Sequence, residues 1–349
     1  MSSSISSSDP WRRFFRLAAG TTALVVAVVY AFVVLVDPFD TLPLSPPADR
    51  VQVASNARFA FPSMARSDKF DSALFGTSTS RLMRPAALDP LFGTRLVNLS
   101  MNDATIYEQG RIMDVFRRAH PVPKLVMVGL DIRWCVTGDS YQMLTGRPFP
   151  EWMYQDHPWR GYAEMFNQYA VQSAGQLFGI LIGIKDPVYG RDGYTRFVPP
   201  DSAYDRAKVA GRLHGVGPSV PTGSRFGPPS DWRYPALDVL RAQIGALPDA
   251  TRVVLFFVPY HRNLLPPPRS PGAMVWDECK RRTAELARAR PNIVAVDFMI
   301  HSPITDHDDH YWDPLHYTVA IADRLAQGLA SCWGLATSAL PIHPWRRCV

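Results

Sequence analysis

The chain contains 349 residues, of which 47% are hydrophobic and 19% are charged. This composition is typical of a globular protein and excludes an intrinsically disordered chain. Lysine and arginine (37) outnumber aspartate and glutamate (31), which gives a formal net charge of +6. The basic residues form no dense run interleaved with aromatic residues, so the sequence argues against a nucleic-acid-binding protein.

A long uncharged segment lies near the N-terminus, at residues 17–36. A helix of this length spans roughly 30 Å, which matches the hydrocarbon core of a bilayer. Arginines lie just before the segment, at positions 12, 13 and 16, and Asp37 and Asp40 follow it. The positive-inside rule therefore places residues 1–16 in the cytoplasm and the rest of the chain across the membrane. The alternative, a cleaved signal peptide, is disfavoured because no small-residue cleavage site follows.

Residues 37–50 are rich in proline and predict an extended linker. The region after the linker alternates between apolar runs of strand length and helical patterns. The runs are continuous, as expected for strands buried on both faces of a parallel sheet. They lie at 72–75, 95–99, 124–131, 252–259 and 292–298, with helical patterns at 103–119, 235–247, 273–290 and 316–330. This alternation predicts one α/β domain over 51–335, followed by a C-terminal tail at 336–349.

The interval between Asp131 and Thr251 is too long for a structureless loop in a compact domain, and it predicts a folded insertion at about 138–235. The insertion contains a predicted amphipathic helix at 159–184. Its aromatic side chains would either line a carbohydrate or lipid cleft or pack the insertion itself, and packing is favoured. These residues are Trp152, Tyr154, Trp159 and Tyr162.

Reactive side chains are concentrated in the loops predicted to follow the strands. GTSTSR follows the first strand, NLSMNDAT the second, GLDIRW the third and PYHRN the fourth, and DPLH precedes the final helix. Open parallel sheets bind their ligands at this edge, beyond the carboxyl ends of the strands. A nucleophilic serine needs an imidazole base, a carboxylate that orients the imidazole, and N–H donors for the oxyanion. These loops supply all of those groups.

The loops resemble the sequence blocks of the SGNH/GDSL hydrolase superfamily, and in particular its membrane-anchored bacterial members with a GTS or GSS first block. The resemblance covers roughly residues 70–135 and 250–330. Gly76-Thr77-Ser78 stands where the family has Gly-Asp-Ser, which implies that Ser78 is the nucleophile. Asp313 and His316 match the Asp-x-x-His block, which implies the orienting carboxylate and the base. The implied fold is a three-layer α/β/α parallel sheet of the SGNH/flavodoxin-like type.

The resemblance also implies an oxyanion hole built from the backbone N–H groups of Ser78 and Ser100. The family's third block, Gly-x-Asn-Asp, supplies an asparagine donor, but Asp131 stands at that place here. An ionised carboxylate cannot donate a hydrogen bond. Either another group serves as the third donor, or Asn102 does.

The proposed catalytic residues also have structural explanations. Ser78 could cap the helix after the first strand, and Ser80 is the competing nucleophile. Asp313 could be a helix N-cap and His316 a surface residue. The joint placement of the blocks on the predicted strands favours the catalytic interpretation of Ser78, Asp313 and His316.

Three further residues are candidates for substrate binding. Arg81 either binds an acidic group of the substrate or pairs with Asp131. Asp131 is equally well explained as a structural carboxylate at a strand end. His261, in PYHRN, lies near the site because of its strand, but it could simply line a wall.

Cysteine and histidine spacing gives no metal-site pattern. The four cysteines, at 135, 279, 332 and 348, are far apart and could form one or two disulfides in an oxidising compartment, while a buried free thiol is an equal alternative for Cys135. The segment 301–316 is rich in histidine and aspartate but lacks the ligand spacing of zinc sites. We therefore expect no metal and no cofactor.

Taken together, the resemblance implies a serine esterase or acyltransferase anchored in the bacterial inner membrane through residues 17–36. Its periplasmic domain would act on acylated cell-envelope glycans or related esters, with a membrane acyl-transfer protein as a candidate partner. The alternative is a catalytically inactive SGNH-like envelope scaffold or glycan-binding subunit, which Asp131 favours.

Overall fold

The computed structural model of the chain describes residues 8–187, 189–223 and 227–337. They divide into two compact units. The first contains the described parts of Met1–Ala54 and Glu151–Val188, and the second contains those of Ser55–Pro150 and Tyr189–Val349. The predicted insertion is therefore divided. Its middle part, from Glu151 onward, groups with the N-terminal helix, whereas its first residues, up to Pro150, and its last part, from Tyr189, group with the sheet.

The described residues contain strands and helices in the alternation that the sequence predicts. The strands are β1 (Ser72–Phe75), β2 (Leu96–Asn98), β3 (Leu125–Leu130), β4 (Arg252–Phe257) and β5 (Ile293–Asp297). The helices are α1 (Ser8–Val36), α2 (Ala57–Arg66), α3 (Ser78–Arg81), α4 (Pro85–Phe92), α5 (Ile106–Ala119), α6 (Arg160–Glu164), α7 (Gln168–Leu181), α8 (Arg206–Leu213), α9 (Pro235–Gly245), α10 (Pro271–Arg288) and α11 (Val319–Thr337).

The second unit is a mixed α/β fold built on an all-parallel sheet with the strand order β2-β1-β3-β4-β5. The register aligns one buried row across all five strands: Val97, Ala73, Val126, Val253 and Ile293. The strand order changes direction between β1 and β3, because the chain passes from β1 to one side and returns on the other. The loops that follow these strands meet at the edge where such sheets bind ligands.

Two helices differ from the sequence prediction in ways that bear on the site. The final helix, α11, begins at Val319, so Asp313 and His316 lie in the loop before it and not at its start. The predicted helix at 159–184 is two helices, α6 and α7, because Asn167 caps α7 by accepting a hydrogen bond from the Ala170 N–H at 2.9 Å. Asparagine favours this capping position over a helix interior.

The first unit contains α1, α6 and α7. Among the described residues, one helix is long and apolar enough to cross a membrane, Pro10–Val36, with a mean hydropathy of 2.4. The chain turns sharply after α1, where the Asp37 carboxylate accepts hydrogen bonds from the backbone N–H groups of Thr41 and Leu42. The insertion aromatics contact residues of this unit: Trp152 lies against Gly161, and Trp159 stacks on Tyr162.

A disulfide joins Cys135, directly after β3, to Cys279 in α10. The free-thiol alternative for Cys135 is therefore wrong. Cys332 is buried in α11, and Cys348 lies outside the described residues. The bond closes a long loop, with a sequence separation of 144 residues between its two cysteines.

Replacing both residues, Cys135→Ser with Cys279→Ser, is expected to lower the free energy of unfolding by about 2–4 kcal/mol, because a long unfolded loop regains its freedom. Urea unfolding of the detergent-solubilised protein, followed by near-UV circular dichroism, measures the change. The wild type under non-reducing conditions is the reference. Equal unfolding midpoints for the two proteins would show that the disulfide contributes nothing.

Candidate active site

Ser78 is placed at the edge of the sheet by a glycine turn. β1 ends at Phe75, and Gly76 has a φ of 152°, which side chains rarely adopt. A Cβ at Gly76 would also overlap the Ser80 hydroxyl. The turn leads directly into α3, whose first residue is Ser78 and whose N-cap position is occupied by Thr77. Ser78 therefore does not serve as the helix cap.

Ser80 occupies a different environment from Ser78. Its side chain is fully buried, it packs against Gly129 of β3, and its hydroxyl lies 3.2 Å from the Thr77 carbonyl oxygen, to which it donates. Ser78 is partly exposed, and its hydroxyl contacts His316. Of the two serines, only Ser78 has a base beside it.

A short loop before α11 carries Asp313 and His316. The Trp312 N–H donates to the His316 carbonyl oxygen at 2.8 Å, and Tyr311 pairs with Tyr317 in an isolated antiparallel bridge at the base of the loop. Both tyrosines are buried, and the Tyr317 hydroxyl donates to the Thr79 carbonyl oxygen. The loop is thus closed on itself and fastened to the helix that carries Ser78.

Ser78, His316 and Asp313 form a continuous chain of contacts. Ser78 Oγ lies 2.8 Å from His316 Nε2, and His316 Nδ1 lies 2.7 Å from Asp313 Oδ2. The other Asp313 oxygen accepts hydrogen bonds from the backbone N–H groups of Leu315 and His316 at 2.9 and 3.0 Å. This is the arrangement in which an imidazole can take a proton from a serine hydroxyl while a carboxylate fixes the ring.

The Asp313 carboxylate is held in its ionised form. Burial raises the pKa of this carboxyl, but the hydrogen bond and charge of His316 and the two backbone N–H groups outweigh burial, so its pKa is lowered overall. An ionised Asp313 accepts the His316 Nδ1–H and stabilises the imidazolium that forms when the other nitrogen takes a proton.

The candidate oxyanion donors differ in availability. Within the described residues, the Ser78 N–H at the start of α3 has no acceptor. The Ser100 N–H donates to Asn98 Oδ1 at 3.0 Å, so it has to share or leave that hydrogen bond to serve a substrate oxygen. Asn102 is partly buried and presents its Oδ1 to Arg81 Nη1 at 2.7 Å. Arg81 engages the Asn102 oxygen, so the NH₂ group is the part of this side chain that remains as a candidate donor to the oxyanion.

Asn98 joins the loop after β2 to the end of α3. Its buried Nδ2 donates to the Met83 carbonyl oxygen at 2.8 Å and to the Arg81 carbonyl oxygen at 3.3 Å. Together with the Ser100 contact, these bonds use the asparagine side chain on both its donor and acceptor sides. Asn98 therefore holds the segment at Ser100 close to the end of α3, and its NH₂ group is already used.

Asp131 is a buried structural carboxylate. One oxygen accepts from the Thr77 hydroxyl at 2.6 Å, and the other accepts from the Arg133 N–H at 3.0 Å. Burial raises the pKa of this carboxyl, although both hydrogen bonds oppose the rise. Asp131 thus orients Thr77, the residue before Ser78, and both of its oxygens act as acceptors. Its position explains how an aspartate is accommodated where the resembled family has an asparagine donor.

Arg81 is an almost fully buried cation beside the candidate site, with 4% of its surface exposed. Its guanidinium lies over the rings of Tyr189 and Phe197, at 5.1 and 5.7 Å from their centroids. Burial lowers its pKa. In the described part of the chain it pairs with no carboxylate, so the pairing with Asp131, one of the two alternatives, is not observed.

His261 does not contact the three candidate catalytic residues. It is fully buried, with Nε2 3.1 Å from an Asp308 oxygen, and its backbone N–H donates to the Pro314 carbonyl oxygen at 2.9 Å. Burial lowers the pKa of this imidazole, although Asp308 opposes the shift. Asp308 also contacts His214 and Arg262. His261 therefore holds the loop that carries Asp313 in place through its hydrogen bond to Pro314.

Phe197 is a site residue that the sequence analysis missed. Its ring meets the His316 ring edge to face at 5.3 Å, and it is one of the two rings under Arg81. It lies in the irregular segment between α7 and α8, where no motif marks it. Only the aromatic richness of the predicted insertion pointed to this region.

In the described ranges, no group of three or more histidine, cysteine, aspartate or glutamate side chains is arranged to hold a metal ion. Within segment 301–316, His301 contacts Asp306 at 2.9 Å, and His310 Nδ1 lies 3.0 Å from the Ile304 carbonyl oxygen. The sequence matches no protein-family model, and it has no significant match among curated proteins.

Proposed function

We propose that the protein is a membrane-anchored serine esterase or acyltransferase of SGNH type, with Ser78, His316 and Asp313 as its catalytic residues. The observation that carries the proposal is the chain of contacts from Ser78 Oγ through both His316 ring nitrogens to Asp313. Residues from two loops more than two hundred positions apart meet in an order suited to proton transfer. The β2-β1-β3-β4-β5 sheet supports the proposal, since the three-layer architecture of this superfamily uses parallel strands.

In the first half of the reaction, Ser78 Oγ attacks the acyl carbonyl carbon while His316 Nε2 takes the hydroxyl proton. The C=O π electrons move to oxygen, and the resulting oxyanion is stabilised by the Ser78 N–H and the Asn102 NH₂. The tetrahedral intermediate then collapses. The bond to the leaving alcohol breaks, and His316 returns the proton to that alcohol.

In the second half, a hydroxyl group attacks the Ser78 ester by the same steps in reverse. Water gives a free acid, as in an esterase, whereas a sugar hydroxyl gives a new ester, as in an acyltransferase. By family analogy the substrates are acylated glycans or related esters at the cell envelope, reached by a domain that the first helix holds at the membrane.

A fluorophosphonate probe tests the nucleophile directly. The purified full-length protein is expected to be labelled on Ser78, and Ser78→Ala is expected to abolish labelling. Ser80→Ala is the matched control, since it removes a hydroxyl two residues away and leaves the Ser78–His316 contact in place. Labelling lost only in Ser80→Ala would overturn the assignment. A folded wild type that is never labelled would favour the catalytically inactive scaffold.

Asn102 provides a separate prediction about the oxyanion hole. Asn102→Ala is expected to lower kcat for a p-nitrophenyl ester by about 10²–10³-fold with little change in KM, since a donor to the oxyanion acts mainly in the transition state. Asp103→Ala is the control, because this exposed neighbour pairs with Arg133. A raised KM with an unchanged kcat would instead assign Asn102 to ground-state binding.

A further inference from the structure

A second apolar element accompanies the first helix. Residues 165–184, which include α7, carry no charged side chain, and Glu164 and Lys185 flank them. α7 itself contains 14 residues and is therefore about 21 Å long. A helix of that length is too short to cross a bilayer, and it is typical of an interfacial or re-entrant segment.

α7 packs against the later half of α1. The ring of Phe166, just before α7, meets Tyr30 at 5.6 Å, Phe178 meets Phe32 at 5.7 Å, and both contacts are edge to face. Tyr30 and Phe32 lie inside the apolar span 17–36. α7 contacts this span through Phe178. Because we take α1 to span the membrane, α7 lies at membrane depth as well.

Several large apolar side chains at the end of α7 and just beyond it are exposed. Leu181, Ile182 and Ile184 are 46%, 52% and 73% exposed at the end of the helix and just beyond it. Large exposed apolar patches on a protein surface mark membrane or protein interaction sites. On α1, Val28 and Leu35 are exposed as well.

An open groove lies between the two helices. Val25, Val29 and Val33 of α1 line one side, and Met165 and Val171 line the other. The lining is mainly apolar, with Asn167 and Gln168 as its polar residues. A groove of this chemistry beside a membrane-spanning helix can hold an acyl chain. Because the apolar helix α1 itself forms one side of this groove, lipid is the occupant that the observations favour over a protein.

The polar residues of α7 are arranged for an interface. Gln168, Gln172 and Gln176 recur every four residues, form one stripe along the helix, and are all exposed. The stacked pair Trp159 and Tyr162 lies at the entry to the segment, and such aromatic residues are enriched at membrane–water boundaries. Exposed apolar side chains together with a polar stripe are typical of a helix that lies in the plane of the membrane surface.

We infer that α7 is embedded in the bilayer leaflet where α1 ends, and that its apolar face and the groove beside α1 contact phospholipid acyl chains. The membrane attachment of the protein then consists of two elements, a spanning helix and an interfacial helix. This inference rests on the membrane-spanning role of α1 and is independent of the chemistry of Ser78.

Site-specific photo-crosslinking in nanodiscs tests the inference. p-Benzoylphenylalanine is placed singly at 178, 182 or 184 of the full-length protein, in phospholipid with alkyne-tagged acyl chains. Val28 is the positive control, and Val122, 66% exposed in the second unit, is the matched apolar control. We expect lipid adducts at 182 and 184 with yields comparable to Val28 and none above background at Val122.

Each contrary result is distinct. Lipid adducts at 28 but at none of 178, 182 and 184 would overturn the inference. Protein adducts at 182 or 184, at twice the mass of the chain, would assign the face to a second copy and would overturn it as well. If position 28 gives no lipid adduct either, the membrane-spanning role of α1 is contradicted as well. Fluorophosphonate labelling of the same variants separates these outcomes from any failure of the proposed esterase activity.

Discussion

Replacing Asp313 with asparagine is expected to lower kcat for p-nitrophenyl acetate by about 10⁴-fold, because the amide cannot hold His316 in the tautomer that accepts the Ser78 proton. The side chain would keep its volume and could still accept the backbone N–H groups of Leu315 and His316. The fold is therefore preserved while the chemistry is lost. Steady-state hydrolysis by the detergent-solubilised protein measures the change.

Asp309→Asn is the matched control, since it makes the same substitution on an exposed residue shortly before the loop that carries Asp313. Its rate is expected to equal that of the wild type. A loss in Asp313→Asn no greater than a few-fold would mean that Asp313 does not orient the base. The proposed assignment would then fail at its second residue even if Ser78 reacts with the probe.

The lowered pKa of Asp313 adds a dependence on pH. Its pKa is lower in the folded protein than in the unfolded chain, so the ionised carboxylate stabilises the fold at pH values above about 4, the ordinary range for aspartate. This contribution is lost as the pH falls through the folded-state pKa. The difference in unfolding free energy between wild type and Asp313→Asn is therefore expected to shrink from pH 7 to pH 3.

Removing one partner of a buried ion pair is expected to have the largest effect on stability. Arg58 in α2 and Glu108 in α5 are 1% and 0% exposed, and two hydrogen bonds join them. Glu108 also accepts the Thr105 N–H in a capping box, and Arg58 donates to the Asn102 carbonyl oxygen. Glu108→Ala leaves a buried guanidinium without its counter-ion and is expected to lower the free energy of unfolding by about 3–5 kcal/mol.

Urea unfolding of the solubilised protein measures this loss, and Asp238→Ala is the control. Asp238 pairs with Arg241 on the surface of α9, so its removal is expected to cost no more than about 1 kcal/mol. Replacing both partners, Arg58→Met with Glu108→Leu, is expected to lose less than Glu108→Ala alone, because no buried charge then remains unpaired. Equal losses in Glu108→Ala and Asp238→Ala would show that the buried pair is unimportant.

The sheet could be predicted from local pattern. Each of the five apolar runs contains one strand, within two residues at either end, because strands buried on both faces are continuous stretches of aliphatic residues. The alternation of strands and helices, with Gly76 directly after β1, predicted that the loops with reactive side chains follow the strands. Ser78, Asp313 and His316 could be chosen from sequence because each belongs to a short motif at such a loop.

The oxyanion side of the site could not be predicted in the same way, because it depends on hydrogen bonds between loops. Arg81 donates to the Asn102 oxygen, and Thr77 donates to the Asp131 carboxylate. Each pairing selects one partner among several polar side chains at similar distances along the chain. Sequence spacing does not distinguish them, since only folding brings the competing donors and acceptors together.

The sequence by itself predicted the long apolar helix and the parallel sheet, since both depend on local periodicity, and its resemblance to the SGNH blocks singled out Ser78, His316 and Asp313 as candidates. The tertiary structure alone decided how the long insertion divides, with residues 151–188 beside the first helix and Phe197 against His316. It also paired Cys135 with Cys279. The physical reason is the same in each case: a contact between distant segments is selected by packing and charge in three dimensions, and no local pattern records it.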